Sequence, residues 1–265
     1  MPRRTARERG PAAEIAAGRA RRSSPFATGT FVAAKGSSIT LSSSQRYVLK
    51  DFRGSSHRIL ASWIRELPQG VRLLELGPGD CHVARLARRA DLGWKGLETA
   101  VTCLPALVEV LDGGAIVDLE AMPRLPRSFD AVLAADSLEH LTDPQKMLEL
   151  IHQALPPGAP LLVSVPNIAN LYVRLNLLVG RFPYAERGLL DRSHRVFFTR
   201  AFLRRLLDRA GFRIDREAMS TIPLPLAWPR LPRYLLEPLA LILEGATRLL
   251  PTLLGYQCLV LARRR

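Results

Sequence analysis

The chain has 265 residues, 48% of them hydrophobic, and a formal net charge of +14. That length suits one large domain, or one domain with appendages, and the three widely spaced cysteines, Cys81, Cys103 and Cys258, exclude a disulfide framework or a cysteine-rich zinc site. The charge does not point to nucleic acid: residues 1–25 carry seven arginines against Glu8 and Glu14, the chain ends Arg263-Arg264-Arg265, and the middle lacks an arginine stripe interleaved with aromatics.

Residues 1–44, rich in Arg, Ala, Gly and Ser, bury too little apolar surface to offset their ordering entropy, and are expected to be a disordered basic tail. An arm that binds acidic surfaces is the functional alternative. This start lacks the apolar core of a signal peptide, and no apolar run in the chain reaches the roughly 18 residues of a membrane span. With reduced cysteines, these features lead us to expect a cytoplasmic protein.

From about Gln45 the pattern becomes periodic. YVLKDF and HRILASWIREL space their apolar residues as helices do, and Pro68-Gln69-Gly70 ends them. Strand-like and helix-like segments then alternate: VRLLELG (71–77), helix CHVARLARRA, strand WKGLE (94–98), helical TCLPALVEVL, and strand AIVDLE (115–120). FDAVLAADSLEHL (129–141) begins as a strand, DPQKMLELIHQAL is a helix capped by Asp143 or Thr142 with Pro144 in its first turn, and LLVSVPN (161–167) is the fifth strand. This alternation predicts a parallel sheet covered by helices on both faces. A further helix, TRAFLRRLLDRAG (199–211), has Thr199 as cap and Gly211 as stop. The stretches FRIDREAMSTI and YQCLVLARR are β-like and are separated by a long Pro- and Leu-rich insertion.

The turn Gly77-Pro78-Gly79 follows the first strand of this alternation, where an open parallel sheet places its ligand. Glycine there lets the backbone turn tightly and approach a ligand closely. A dinucleotide site calls for a third glycine, but Asp80, Cys81 and His82 come next, and the flanking Glu75 and Asp80 disfavour a pyrophosphate while suiting a cationic ligand. A nicotinamide-linked dehydrogenase is therefore the weaker reading of this turn, and a glycine turn that binds nothing is the bland one.

ELGPGD, with Glu98 closing a second strand and Asp118 after a third, resembles the class I S-adenosylmethionine-dependent methyltransferases. VDLE, FDAVLAADSLEHLTDP, LLVSVPN and DRSHRVFFTRAFLRRLLDRAGF extend the similarity to a bacterial branch that includes ubiquinone-pathway O-methyltransferases, MetW-like proteins and methyltransferases of surface-glycan clusters. The resemblance covers residues 45–265. It implies a Rossmann-like, doubly wound α/β fold with seven strands in the order 3-2-1-4-5-7-6, strand 7 antiparallel, and helices on both faces. It also implies S-adenosylmethionine as cofactor, with Glu75, Gly77 and Gly79 at the methionine moiety, Glu98 at the ribose diol, Asp118 and Leu119 at the adenine, and Asp136 lining the same site. The bland reading of Glu98 is a solvated acid and that of Asp118 a helix cap. Two departures stand out: Cys81 occupies the place of the third loop glycine, where it reads as a packing residue, and Pro157-Gly158-Ala159 replaces a Gly-Gly turn.

The resemblance implies methyl transfer to a small-molecule, glycan or lipid-linked acceptor, most simply on oxygen. A methyltransferase-fold partner or regulatory protein without turnover, as MetW-like relatives suggest, is the alternative. A hydroxyl acceptor needs a proton taken from it. His140, beside Asp136 and Glu139, is a candidate base, or else an organiser of the next helix. Residues 166–198 should form an acceptor lid, where Asn167, Tyr172, Arg174, Tyr184, Asp191 and His194 suit a hydroxylated acceptor, with Asp191 and His194 as the pair to test. His57, His82 and His152 receive no role. No HxxxH pair or acidic cluster stands at ligand spacing, so no metal is expected. The insertion 222–255 reads either as a helical hairpin that caps the pocket or forms a homodimer face, or as an interfacial element on the inner membrane with Trp228 and Tyr234 at headgroup depth.

Overall fold

The computed structural model describes residues 32–33, 49–228, 230 and 232–265. Its first strand, β1 (Val32–Ala33), lies within the segment expected to be disordered; the rest of that expectation falls outside the described residues. Helix α1 (Ser56–Arg65) starts where Ser55 accepts from the Arg58 amide, and buries Leu60 and Ile64. YVLKDF was expected to be helical as well, but residues 49–55 precede the helix.

The alternation then follows as β2 (Arg72–Leu76), α2 (His82–Ala87), β3 (Gly93–Glu98), α3 (Leu104–Val110), β4 (Gly113–Ile116), β5 (Ala131–Ala135), α4 (Pro144–Ala154) and β6 (Pro160–Pro166). Asp143 caps α4 by accepting from the Lys146 amide at 2.9 Å. After α5 (Leu171–Leu178) come α6 (Arg200–Arg209), with Thr199 accepting from the Phe202 amide, and β7 (Phe212–Met219). Gly211, with φ of 86°, takes the left-handed conformation that stops α6. The insertion folds as α7 (Leu224–Ala227), α8 (Arg233–Leu249) and α9 (Pro251–Leu254), and the described chain closes with β8 (Gln257–Arg264).

The sheet order is β1-β4-β3-β2-β5-β6-β8-β7, with β8 antiparallel to both of its neighbours. Without β1 this is the expected seven-stranded order. The two-residue β1 is an addition, paired parallel to β4 at the sheet edge. Alternate residues of each central strand face opposite cores. Leu74, Val132, Val163 and Val260 point to the side covered by α4 and α6, while Leu73, Leu133, Leu162 and Leu259 point to the side of α1, α2 and α3. Period-two alternation between two apolar layers explains why these strands read as continuous hydrophobic runs.

The cofactor-side half of the sheet is packed through its glycines. A Cβ on Gly114 would stand 2.5 Å from the Gly96 carbonyl oxygen on the paired strand, and a Cβ on Gly96 would stand 2.9 Å from Pro78 of the elbow. We expect Gly114→Ala to lower stability by about 1–3 kcal/mol, the usual cost of overpacking. Gly70→Ala, which meets no atom within 4 Å, should cost only the backbone strain of its φ of 72°, about 1 kcal/mol. Urea unfolding of both variants checks the ranking.

Candidate active site

The chain reverses its direction of winding between β2 and β5, and a cleft of about 1500 Å³ opens there, beyond the carboxyl ends of the strands. Its walls include Glu75, Gly77, Gly79, Glu98, Asp118 and Leu119 on one side and Asp136, His140, Asp191 and His194 on the other. Residues from five separate loops, singled out in the sequence, therefore meet in one place.

The elbow takes its shape from left-handed backbone at Gly77 (φ 65°) and Gly79 (φ 54°). The Gly77 amide donates to the Leu97 carbonyl at 2.8 Å, and a Cβ there would press on Ser137 at 3.1 Å. Cys81 also adopts a left-handed φ of 56°. The position of the third glycine thus keeps glycine geometry although its residue has changed. Cys81 is fully buried, and burial raises its thiol well above the ordinary range, which fits a packing residue.

Glu98 is buried and organises the elbow. Its Oε2 accepts from the Gly79 amide at 2.8 Å, while Oε1 accepts from the Thr99 and Ala100 amides at 2.7 and 2.9 Å. A carboxylate offers about four lone-pair positions, so roughly one remains for a ligand hydroxyl. Asp118 is exposed, and its Oδ1 accepts from the Glu120 amide at 2.9 Å, a local turn contact that leaves Oδ2 facing outward from that bond. Leu119 beside it is buried and lines the cleft.

Glu75 differs from its sequence reading in charge. It accepts from the Trp94 indole at 2.9 Å, but burial pushes its carboxyl up to about 8, with the Glu98 charge adding to the rise. At neutral pH and without a cation beside it, Glu75 is therefore mostly protonated. Its folded-state value lies above the ordinary 4.5, so the stability it contributes is complete below 4.5 and is lost as pH rises through about 8. A ligand ammonium or sulfonium near Glu75 reverses this by favouring the carboxylate. S-adenosylhomocysteine, which carries an ammonium, is expected to release a proton on binding near pH 7 and to bind more tightly as pH rises towards 8. Calorimetric titrations in buffers of different ionisation enthalpy will show the release, and Glu75→Gln will abolish it.

Asp136, at φ 51°, ends β5 in a network that the sequence did not reveal. Lys50 Nζ lies 2.9 Å from Oδ2, Ser164 Oγ donates to Oδ1 at 2.6 Å, and Gln257 Nε2 donates to both oxygens at 2.6 Å. Burial would raise the Asp136 carboxyl, yet the Lys50 charge and these hydrogen bonds hold it below the usual range. The Lys50 amide donates to His57 Nδ1 at 3.1 Å, and burial, then the Lys50 charge, lower His57 to about 3, so the ring is neutral. His57 and His82, given no role from sequence, both line the cleft, with ring centroids 5.7 Å apart. Their spacing along the chain gave no signal, because α1 and α2 bring them together from separate segments. His152 packs edge-on against Phe212, away from the site.

On the acceptor side the expected Asp191–His194 pair takes another form. Asp191 Oδ1 accepts from the Ser193 amide and hydroxyl at 2.8 and 2.6 Å, which fixes the turn leading to His194. His194 lies edge-on to His140, with centroids 5.1 Å apart, and its Nδ1 is buried without a hydrogen-bond partner among the described residues. Burial and the neighbouring His140 lower its pKa. His140 Nδ1 sits 3.2 Å from the Ser193 carbonyl, an oxygen that can only accept; this assigns the ring proton to Nδ1 and leaves Nε2 as a base. Glu139 is buried with both carboxylate oxygens lacking a hydrogen-bond partner among the described residues, and burial followed by the Asp136 charge raises it well above the ordinary range. The sequence led us to expect no metal; the fold nevertheless brings one ligand atom each of Glu139, His140 and His194 within 4.8 Å of one another. Sequence spacing did not show this trio because His194 reaches it from the lid.

The other candidates among residues 166–198 play different parts. Asn167 donates to the Thr252 and Gly255 carbonyls, both at 2.9 Å, and fastens this segment to the insertion. Arg174 donates to the Ala169 carbonyl at 2.7 Å, and Tyr172 and Tyr184 are exposed.

A family model for a methyltransferase domain matches residues 45–217. The ubiquinone biosynthesis O-methyltransferase of Dinoroseobacter shibae is 29% identical over 187 residues, covering 65% of this chain and 75% of its own length. Among solved structures, an S-adenosylmethionine-dependent methyltransferase from Mesorhizobium loti aligns with a TM-score of 0.53 at 20% identity, over 80% of this chain and 99% of that one. The cyclase SpnF aligns with a TM-score of 0.51 at 20% identity, over 78% and 80% of the two chains. These structural likenesses show the fold, which by itself does not fix a reaction.

Proposed function

The chain belongs to the methyltransferase-domain family as an S-adenosylmethionine-dependent enzyme, and from that premise we propose that it methylates a hydroxyl oxygen of a glycan or lipid-linked small molecule. The observation that carries the oxygen assignment is His140, a cleft histidine whose Nε2 is left basic by the Nδ1 contact with the Ser193 carbonyl. An amine acceptor can lose its proton to solvent before attack, whereas a neutral hydroxyl gains most from a base placed beside it.

The residues present fit the cofactor. The elbow has no side chain where a Cβ on Gly77 would crowd Ser137, and the buried Ser137 Oγ lacks a partner among the described residues. We assign Glu75, Gly77 and Gly79 to the methionine end, Glu98 Oε2 to a ribose hydroxyl, and Asp118 and Leu119 to the adenine. Asp136, held by Lys50 and Gln257, closes the floor beneath the methionine end. When bound, S-adenosylmethionine supplies a methyl group activated on a sulfonium. The protein's part is to bind and orient: the elbow and Glu98 fix one partner, and the lid fixes the other. His140 Nε2 accepts the acceptor's proton, while Asp191 and Ser193 hold the turn that positions His194 beside it. The leucine-rich α7 forms part of the cleft wall and favours an acceptor with an apolar chain.

The test supplies S-adenosylmethionine with paired acceptors, hydroxylated and amino analogues of polyprenylated phenols and of lipid-linked sugars, and measures S-adenosylhomocysteine formed. Methylation of the hydroxyl members is expected. Turnover confined to the amino analogues would overturn the oxygen assignment.

A further inference from the structure

Two helices, one following β6 and one in the insertion, carry exposed apolar faces. On α5, Leu171, Leu175 and Leu178 recur at the spacing of one helical face and point outward, with Leu178 82% exposed. On α8, Leu235, Leu239, Ile242 and Leu249 form a second such stripe, with Ile242 69% and Leu249 83% exposed. The start of α5 is tied to the end of the insertion that carries α8. Asn170, the cap of α5, donates to the Leu254 and Gly255 carbonyls at 3.3 and 2.9 Å, which anchors α5 to the end of α9. The cleft wall takes residues from the segments next to both helices in the chain: Arg187 and Gly188 after α5, and Ile222, Pro223 and Leu226 at α7 before α8.

The fringe of this surface is polar in a particular way. Trp228 and Tyr234 on the insertion and Tyr172 and Tyr184 on the lid are exposed, each an apolar ring with a polar tip. Arg174, Arg181, Arg187 and Arg192 are exposed along the lid, where Glu186 is the exposed acid. No helix among the described residues is long and apolar enough to cross a membrane. A surface with exposed leucines at its centre, aromatic residues and arginines at its edge and no spanning helix matches the interface of an anionic bilayer. A second copy of this chain fits less well. A two-fold contact through these faces would set the lid arginines of one copy close to those of the other and would close both cleft mouths.

We propose that the outer faces of α5 and α8 are one docking surface for an anionic lipid bilayer, seating the cleft mouth against the headgroups so that a membrane-embedded acceptor enters without leaving the lipid. The purpose assigned to this surface rests on the lipid-linked acceptor proposed above; the docking itself is measured without turnover. The full chain is floated with vesicles of phosphatidylcholine alone or mixed with phosphatidylglycerol, at low and high salt, while light scattering records its oligomeric state. We expect it to float with the anionic vesicles, less at high salt, and only weakly with the neutral ones. Leu178→Asp combined with Ile242→Asp should lower the bound fraction roughly tenfold or more, and Arg181→Glu should weaken anionic binding alone. Both positions of the double variant are exposed, and an unchanged affinity for S-adenosylhomocysteine will show that it is folded. Equal flotation of wild type and double variant would overturn the proposal. So would a wild-type dimer that ignores vesicles and that the double variant dissociates, which would make the surface a contact between copies. Vesicle binding that persists in a wild type unable to bind S-adenosylhomocysteine would keep the docking surface and remove the methyltransferase assignment of the cleft.

Discussion

Glu98→Ala is expected to weaken S-adenosylhomocysteine binding about a hundredfold, roughly 3 kcal/mol, and to destabilise the protein as well. The reason is that this carboxylate serves two purposes at once. Three amides, those of Gly79, Thr99 and Ala100, donate to it, and hydrogen bonds to a charged group contribute about 1.5–3 kcal/mol each. Removing it leaves these part-buried donors unmet, frees the elbow, and deletes the acceptor assigned to a ribose hydroxyl. Glu98→Gln should recover little, because the new amide group turns a donor towards either Gly79 or the Thr99–Ala100 pair. Calorimetry for binding and urea unfolding for stability read the two consequences separately. Binding within threefold of wild type for Glu98→Ala would show that the cofactor does not depend on this carboxylate.

His140→Ala is expected to slow turnover by about 10²–10⁴-fold, the usual contribution of a positioned acid or base, while S-adenosylhomocysteine affinity changes less than threefold. His194→Ala should cost less, since its ring touches His140 edge-on and its pKa is already lowered by burial. A chelator decides between two uses of the same trio. Turnover that survives chelation keeps His140 as the base; turnover lost to a chelator and restored by a divalent ion would reassign Glu139, His140 and His194 as ligands and overturn the proton-transfer role.

The two variants probe opposite sides of the cleft, and they differ in how much of each side could be read from sequence. The side proposed to hold the cofactor is built from strand ends, where the chain's own alternation dictates position: an apolar run that ends in Glu75 and Gly77, another that ends in Glu98, and a third that leads to Asp118. Each residue's place follows from which strand precedes it, so linear order is enough. The sequence also specified the helix stops and starts, Asp143, Thr199 and Gly211 among them, because caps act within one turn of the backbone.

Charge state and partnership were different. Glu75 reads as an anion in the sequence, yet burial raises its carboxyl to about 8 in spite of the hydrogen bond from Trp94, and desolvation depends on what packs around a group. Asp191 reads as the partner of His194, yet its Oδ1 turns back to Ser193, and His140 meets His194 edge-on. Lys50, Ser164 and Gln257 converge on Asp136 from residues far apart in the chain, and no local pattern announces such a meeting. The sequence by itself determined the alternation of strands and helices and the place of the elbow, because these follow from periodicity and chain order in a doubly wound sheet, and the family resemblance carried the strand order. Tertiary structure alone decided which of the gathered groups are neutral, which are paired and which face the cleft, because burial and long-range contact set proton affinity and hydrogen bonding.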